Sequence, residues 1–173
     1  MATTSSLATA VNSVLFNNFI ADDGAVARIR DGQAPVCTAF GNLSIPAGAI
    51  IDGIEIDMEG YAIVAGHDAA VGDWIYVSND GVSWSTAQSI TTGTWATSAP
   101  GGVETAGGTS ELWGETWNAT TAAAIQVKLG WGTTDGDAVY LDYVKVRITY
   151  TLPIDKALSI NGSLTINGNL IIK

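Results

Sequence analysis

Acid–base catalysis is the first chemistry to consider for Glu55, Asp57 and Glu59, because glycoside hydrolases use pairs of carboxylates that flank the scissile bond. The three residues alternate with apolar ones in the segment Ile54–Val64. On an extended strand, a spacing of two residues places all three side chains in a row on one face. No feature of the sequence predicts that apolar residues bury these three side chains. We therefore expect ordinary exposed acids and no catalytic residues.

Nucleophilic and metal-assisted chemistry have few candidates, since the chain contains one histidine, His67, and one cysteine, Cys37. These counts exclude zinc sites with several cysteines and any site that needs two histidines. Asp68 follows His67, but no Gly-x-Ser-x-Gly motif accompanies the pair, so a catalytic triad is not supported. Cys37 lies in a strand pattern and is expected to be a buried apolar residue. The sequence therefore predicts no enzyme, no cofactor and no metal site.

Three groups of acidic residues offer oxygen atoms of the kind that calcium binds: Asp22-Asp23, Asp52 with Glu55, and Asp135-Gly136-Asp137. None of them has the spacing of an EF-hand loop. Aspartate is also frequent in turns, where its side chain accepts hydrogen bonds from nearby backbone N–H groups. We interpret these acids as turn residues on a solvated surface.

Tryptophan is unusually frequent and supplies another set of candidates. Large aromatic side chains are expected to anchor the core or to lie under loops. Trp95 is the exception, because it lies in the polar stretch 88–108, where its ring could stack on a sugar. It is the residue expected to bind a glycan if the protein is a carbohydrate-binding module. The six tryptophans stand at positions 74, 84, 95, 113, 117 and 131.

The segment Ser78–Trp84 reads Ser-Asn-Asp-Gly-Val-Ser-Trp and resembles the Asp-box hairpin. In that pattern Asp80 caps its own turn, Gly81 takes a positive φ and Trp84 packs under the loop. Families that carry the box use it structurally. The resemblance therefore implies a structural hairpin at this position.

Composition narrows the class of protein further. Of the 173 residues, 47% are apolar and 14% are charged, so the chain has enough apolar surface to fold. The net charge of −10 argues against nucleic acid as a partner, because phosphate binding needs a basic face. No apolar run reaches the ~20 residues of a transmembrane helix, so no membrane partner is expected. No side chain before Asp22 is charged, which excludes the basic start of a secretory signal and predicts synthesis in a cytoplasm.

Alternation of apolar and polar residues with a period of two dominates the chain and predicts strands. The two longest are Ile54–Val64, with its even positions buried, and Tyr140–Tyr150, whose buried even positions are interrupted by Asp142. Turn-rich segments separate the others, which favours an all-β fold, an antiparallel two-sheet sandwich of jelly-roll type. One short helical turn is predicted at Asn118–Ala123, with Asn118 as its N-cap. The shorter strands are predicted at 25–30, 36–43, 73–78, 82–86, 93–97, 110–113 and 125–130.

The chain is predicted to have three parts: an N-terminal arm at 1–19, the sandwich at 20–151 and an assembly strand at 152–173. The last part contains the six-residue repeat LSINGS, LTINGN and LII. Hairpins at its Asn-Gly pairs would mix apolar and hydroxyl residues on each face, whereas an extended chain separates them. The residues predicted to face other chains are Leu158, Ile160, Leu164, Ile166, Leu170 and Ile172.

A single strand cannot bury such an apolar face, so this C-terminal repeat predicts contact with a partner. A β-helix of three chains would stack its leucines in one row and its isoleucines in another. An arm donated to the sheet of a neighbouring chain would bury the same face. A tail folded back on its own sandwich is the remaining alternative.

Three segments carry motifs in common with one protein family. Phe40–Glu55 is similar to Phe-Gly-Phe-Ser-Ile-Pro-x-Gly-Ala-x-Ile-x-Gly-Ile, with one extra residue around Asn42. Gly107–Trp117 is similar to Gly-Gly-x-x-Asp-Leu-Trp-Gly-x-x-Trp, with Glu111 in place of Asp. Tyr140–Tyr150 is similar to Asp-x-Val-x-Val-x-Val-x-Tyr. Together they resemble a β-sandwich family found among virion structural proteins of tailed phages and in some prokaryotic surface proteins.

The resemblance covers roughly residues 20–151 and brings no catalytic residues with it. It implies a packing corner in which Gly114 allows the turn between two anchors, Trp113 and Trp117. The C-terminal repeat is similar to the Asn-Gly hexads of phage fibre and spike β-helices, where three chains often wrap.

The expected function is that of a non-enzymatic virion structural protein, most simply a head decoration or similar subunit on the virion surface. Synthesis without a signal peptide fits this role, because virions assemble in the host cytoplasm. The expected partners are further copies of the chain, forming a homotrimer, and other virion proteins such as the capsid. A carbohydrate-binding or adhesive module, such as a tail-fibre head or surface lectin, is the alternative function, with glycans as its partners.

Overall fold

Ten strands and one short helix make up the structure, a computed structural model that describes residues 1–11, 21–30, 33–41, 43–62, 74–89, 96, 98, 101–130 and 138–153. The pairings between the strands are antiparallel. In chain order the elements are β1 (Ala2–Leu7), β2 (Ala10–Val11), β3 (Ala27–Arg30), β4 (Val36–Thr38), β5 (Ile50–Ala62), β6 (Trp74–Ser78), β7 (Gln88–Ser89), β8 (Gly102–Gly108), α1 (Ala119–Ala123), β9 (Gln126–Gly130) and β10 (Ala138–Thr151).

The described strands form two sheets of five strands each. In the first sheet, β10 lies between β5 on one side and both β1 and β3 on the other, and β8 follows β5. In the second sheet the order is β2-β4-β9-β6-β7. The eight strands from β3 to β10 are divided equally between the two sheets. Their spatial order is β3-β10-β5-β8 in the first sheet and β4-β9-β6-β7 in the second. This is the strand order of a jelly roll, so the predicted fold class is confirmed.

The N-terminal boundary predicted from the sequence is corrected by β1. Ala2 is paired with Tyr150 and Leu7 with Lys145 along one edge of β10. β3 occupies the other half of the same edge, because its residues pair with Leu141 and its predecessors. Residues 2–7 are therefore a strand of the first sheet and not part of an arm outside the sandwich. Residues 3–6 are consecutive threonines and serines, with no alternation of large apolar and polar residues, so the sequence pattern gives no strong strand signal.

The long strand β10 changes the face that it buries at Asp142. Asp142 and Tyr143 together oppose the single Glu59 of β5, which is a β-bulge. Before the bulge, odd-numbered residues such as Leu141 face the core, and after it even-numbered residues such as Val144 do. The sequence predicts a strand with Asp142 on its buried side. The extra residue corrects that prediction by turning Asp142 towards the outer face.

The core lies between the two sheets. The even residues of β5 from Ile54 to Met58 are fully buried, as their alternation predicts. Across the core, the second sheet contributes Ile75 of β6 and Leu129 of β9. Each such side chain stabilises the fold by about 1.5–3 kcal/mol relative to an exposed one. Cys37 is also buried, and burial raises the pKa of its thiol, so the residue is held in its unreactive protonated form.

Two segments predicted as strands, 82–86 and 110–113, form connections instead. The predicted helical turn is confirmed as α1, because the side chain of Asn118 accepts hydrogen bonds from the backbone of Thr120 and Thr121. The Thr121 hydroxyl in turn accepts a hydrogen bond from the backbone N–H of Asn118, which completes a capping box. Among the described residues, no helix has the length and apolar character needed to cross a membrane.

Antiparallel pairing places the connections of the sandwich at two ends. The connections β4–β5, β6–β7 and β8–β9 lie at the end where β5 begins and β10 finishes. β1 also begins there, because Ala2 is paired with Tyr150. We call this the terminal end, since residue 1 and residue 153 both lie at it. The strand ends that flank the other four connections from β3 onward lie at the opposite end.

Candidate functional site

The β8–β9 connection turns sharply at Trp113 and Gly114, whose φ angles are +60° and +72°. The Glu115 N–H donates to the Leu112 carbonyl over 3.0 Å. Positive φ at both central residues is the combination of a type I′ turn. Gly114 adopts it without strain, whereas Trp113 is held in a region that bulky residues rarely occupy. Trp117 secures the turn, because its indole Nε1 donates to the Leu112 carbonyl over 2.9 Å.

Trp113 joins this corner to the middle of the first sheet. Its side chain is fully buried, and its indole Nε1 donates to the Ile54 carbonyl over 3.0 Å. The Ile54 N–H donates to the Glu111 carbonyl over 2.9 Å, so the corner binds both backbone groups of one β5 residue. Gly107 lies against the same ring, because a Cβ added there would be 2.9 Å from Trp113 Cζ2. The corner predicted from Trp113, Gly114 and Trp117 is thus a structural joint.

The β6–β7 connection has the hydrogen bonds of an Asp-box turn. Asp80 Oδ1 accepts from the backbone N–H groups of Val82 and Ser83, both over 2.7 Å. These two bonds lower the pKa of the Asp80 carboxyl. Gly81 has a φ of +74°, and its N–H donates to the hydroxyl of Ser78 over 2.8 Å. Asp80 and Gly81 therefore have the turn-forming positions that the motif predicts.

Trp84, the last residue of that motif, covers a lysine on the outer face of the second sheet. The ammonium of Lys128 lies 4.6 Å from the centre of the Trp84 ring and 4.2 Å from that of Tyr76. Trp74 lies two residues before Tyr76 on the same face of β6, and it is 41% exposed. We call these four residues the aromatic face. Lys128 is the only charged residue within the described strands of the second sheet.

The row of acids predicted on β5 lies on the outer face of the first sheet, but Asp57 is not an exposed acid. Its side chain accepts from Arg147 Nη2 at 2.8 and 2.9 Å and from the Thr105 hydroxyl at 3.0 Å. Glu55 lies 3.6 Å from Nε of the same arginine. Asp57 is only 5% exposed, so the prediction of solvated acids is wrong for this residue. The neighbouring strands β8 and β10 supply the partners that bury it, and strand periodicity alone does not reveal them.

Glu59, the third acid of the row, meets Asp22 and the bulged Asp142. One carboxylate oxygen from each lies within 4.8 Å of the other two. Burial and then the charges of Asp142 and Asp22 raise the pKa of Glu59. Both Asp142 oxygens accept from the Gly24 N–H at 3.1 Å. Oxygen donors in this arrangement suit a hard cation. Of the three residues, only Asp22 belongs to one of the acidic groups considered for calcium from the sequence.

Glu104 lies on the inner side of the first sheet, a position that no sequence pattern predicted. It is paired with the fully buried Met58 and is itself 6% exposed. Its Oε2 atom has no hydrogen-bond partner among the described residues. Burial raises the pKa of its carboxyl. The available signal was its position two residues before Ala106, which shares the buried face of β8.

Several predicted site residues lie outside the described residues. They include Trp95, which was the predicted sugar-stacking residue, His67 and the Asp135–Asp137 group. The C-terminal residues predicted to oligomerise also lie outside them: Leu158, Ile160, Leu164, Ile166, Leu170 and Ile172.

Comparison with known proteins adds no further information on the site. No protein-family model, no curated protein and no solved structure matches this chain.

Proposed function

We propose that the chain is a non-enzymatic structural protein of a tailed-phage virion, a head decoration or similar subunit on the outer surface. One observation carries the proposal: the three segments with phage-family motifs meet at Ile54. Ile54 belongs to the first segment, its carbonyl accepts from Trp113 of the second, and it is paired with Ile148 of the third. The motifs that carry the resemblance therefore contain residues that contact one another at the first sheet and stabilise this fold. That supports a shared β-sandwich as the basis of the resemblance.

The contacts of the β5 acids support a role without catalysis. A general acid or base must reach the substrate, whereas Asp57 is buried and bound by Arg147 and Thr105. Glu55 lies beside the same arginine. We expect no hydrolysis of glycosides. A measured turnover that is lost in Glu55→Gln or Asp57→Asn protein would contradict the proposal.

Assembly is proposed to run through residues 157–173, with three chains joined by the leucines and isoleucines of the repeat. Light scattering of the full chain should give about three times its mass of 17.9 kDa. Deletion of residues 157–173 should give a folded monomer. Leu164→Asp should do the same, because it places a charge in the apolar row. If full-length and truncated proteins are both folded monomers, this mode of assembly is wrong.

The place in the particle is tested by cryo-electron microscopy of the native virion. We expect the jelly roll in many symmetry-related copies on the outside of the head, in contact with the capsid protein. Copies confined to the tail would contradict the decoration role, and absence of the chain from purified virions would contradict any virion role. The net charge of −10 suits a subunit that does not contact the genome. Tight, salt-sensitive DNA binding at neutral pH would therefore count against the proposal.

A glycan-binding or adhesive module is the second candidate, and the aromatic face favours it. Trp74 exposes part of its ring beside Tyr76 and Lys128, on a sheet face where a sugar could stack. Glycan-array binding that is lost in Trp74→Ala or Trp95→Ala protein would favour this function. Val103→Ala is the matched control, because Val103 is also an exposed apolar residue but lies on the other sheet. Absence of binding to every glycan tested would leave the structural role as the better supported one.

A further inference from the structure

Three neighbouring strands of the first sheet end in exposed apolar side chains at the terminal end. Ile50 begins β5 and is 61% exposed, and Leu152 follows β10 and is 52% exposed. Thr151 is paired with Ile50, so Ile50 and Leu152 belong to adjacent strand ends. Met1 precedes β1 on the other side of β10 and is exposed too. Adjacent strands lie about 4.8 Å apart, so these three strand ends are neighbours at one end of the sandwich.

The connections at the same end carry two further exposed apolar residues. Leu112 in the β8–β9 connection and Val82 in the β6–β7 connection are both exposed. Five of the seven large apolar side chains exposed in the described parts of the chain thus lie at one end. The other two, Trp74 and Val103, lie towards the opposite end, at the start of β6 and of β8. A collection of this kind is typical of a surface that binds another protein. We call these five residues the terminal face.

The chain leaves the sandwich through this face. Pro153 lies beside the turn before β5, since a Cβ added to Gly48 would be 3.7 Å from Pro153 Cγ. Twenty residues, 154–173, follow it in the sequence and contain the apolar repeat. If the repeats of several copies associate side by side in the same direction, the points at which they leave their domains must also come together. Those points are the Leu152–Pro153 segments, which lie within the terminal face.

We propose that the terminal faces of neighbouring copies of this chain pack against one another at the root of their C-terminal segments. The inference rests on the proposed assembly through residues 157–173 and adds a second, domain-level contact to it. Under rotational symmetry each copy presents the same terminal face to the axis, so one kind of apolar surface serves every contact in the ring. The opposite end, which carries Trp74, then points away from the joint.

Cross-linking in the full chain tests proximity directly. The native Cys37 is buried, so a new surface cysteine provides the reactive thiol. With a short bis-maleimide, Leu152→Cys should give covalent dimers between chains. Val103→Cys is the matched control, since Val103 is 49% exposed but lies outside the terminal face, and it should give none. If Leu152→Cys gives no cross-link in a sample that light scattering shows to be oligomeric, the terminal-face contact is wrong.

A pair of charge substitutions tests the energetic contribution. Ile50→Asp with Leu152→Asp should raise the dissociation constant of the full-length oligomer by about tenfold or more, while Val103→Asp should leave it unchanged. Circular dichroism checks that each variant is folded, and if the double variant is not, the cross-linking result decides. A charge at Leu164 that dissociates the oligomer, combined with no effect at Ile50 and Leu152, would overturn the terminal face and leave C-terminal assembly intact. A monomeric full chain would overturn both.

Discussion

The indole of Trp113 donates a hydrogen bond to the carbonyl of Ile54, 59 residues earlier in the chain. This contact fixes the β8–β9 connection to the centre of the first sheet. It requires a left-handed backbone at Trp113 and a close approach of Gly107 to the ring. The joint therefore depends on two glycines for different reasons: Gly107 for space and Gly114 for the turn.

Replacing each glycine with alanine measures the two contributions to the free energy of unfolding separately. Gly107→Ala should lower the free energy of unfolding by about 3–4 kcal/mol, because its Cβ would collide with the Ile54 carbonyl and the Trp113 ring as well as straining a positive φ. Gly114→Ala should cost about 1–2 kcal/mol, since its φ is also positive but no atom lies within 4 Å of the added Cβ. Urea unfolding of both variants measures the difference. Equal costs would contradict the close packing at Gly107.

Substitution of Arg147 should lower the free energy of unfolding, because Arg147 neutralises the buried carboxylate of Asp57. Arg147→Met leaves a buried carboxylate with the Thr105 hydroxyl as its remaining described partner, so we expect a loss of about 2–3 kcal/mol. Asp57→Asn in the same protein should recover part of that loss, and the double-mutant cycle should give a coupling of at least about 1 kcal/mol. Lys145→Met, on the same face of β10, is the control and should cost less. If the effects of the two substitutions are additive, Asp57 and Arg147 have no interaction energy and the explanation is wrong.

Glu104→Gln should stabilise the protein at neutral pH. Burial raises the pKa of Glu104 above its ordinary value of 4.5, so the ionised form is disfavoured in the folded state. The penalty is absent below the unfolded pKa, where the carboxyl is neutral in both states, and it grows as the pH rises through the folded pKa. We expect a gain of about 1 kcal/mol at pH 7 that disappears near pH 3. Glu115→Gln is the control, and a gain of equal size at both pH values would contradict the explanation.

Asp80→Ala should destabilise the protein at neutral pH by removing the acceptor of two backbone N–H groups. The pKa of Asp80 is lowered from its ordinary value of 3.8, so its stabilising contribution is present above that value and is lost as the pH falls through the folded pKa. Thermal unfolding at neutral pH and near pH 2 measures this dependence. Asp80→Asn, which keeps an acceptor, should be less harmful. An Asp80→Ala penalty that does not change with pH would contradict the role of the ionised carboxylate.

The sequence by itself determined the fold class and several local structures. Alternation in β5 identified its buried face correctly from Ile54 to Met58, because side chains on a strand alternate between two faces whatever their neighbours are. The Asp80–Gly81 turn and the Asn118 cap were also predictable, since each is made by residues within a few positions of one another. Local geometry is encoded locally, and short motifs report it well.

Only the tertiary structure decided where the charged groups lie. Asp142 moves to the outer face because one extra residue in β10 changes the register, and Asp57 is buried because Arg147 and Thr105 arrive from two other strands. Glu104 faces inward because β8 pairs with the buried side of β5 at Met58. The gathering of Ile50 and Leu152 at one end likewise depends on strand pairing across 102 residues of chain. Such contacts are set by the free energy of the whole fold, and no pattern within one segment determines them.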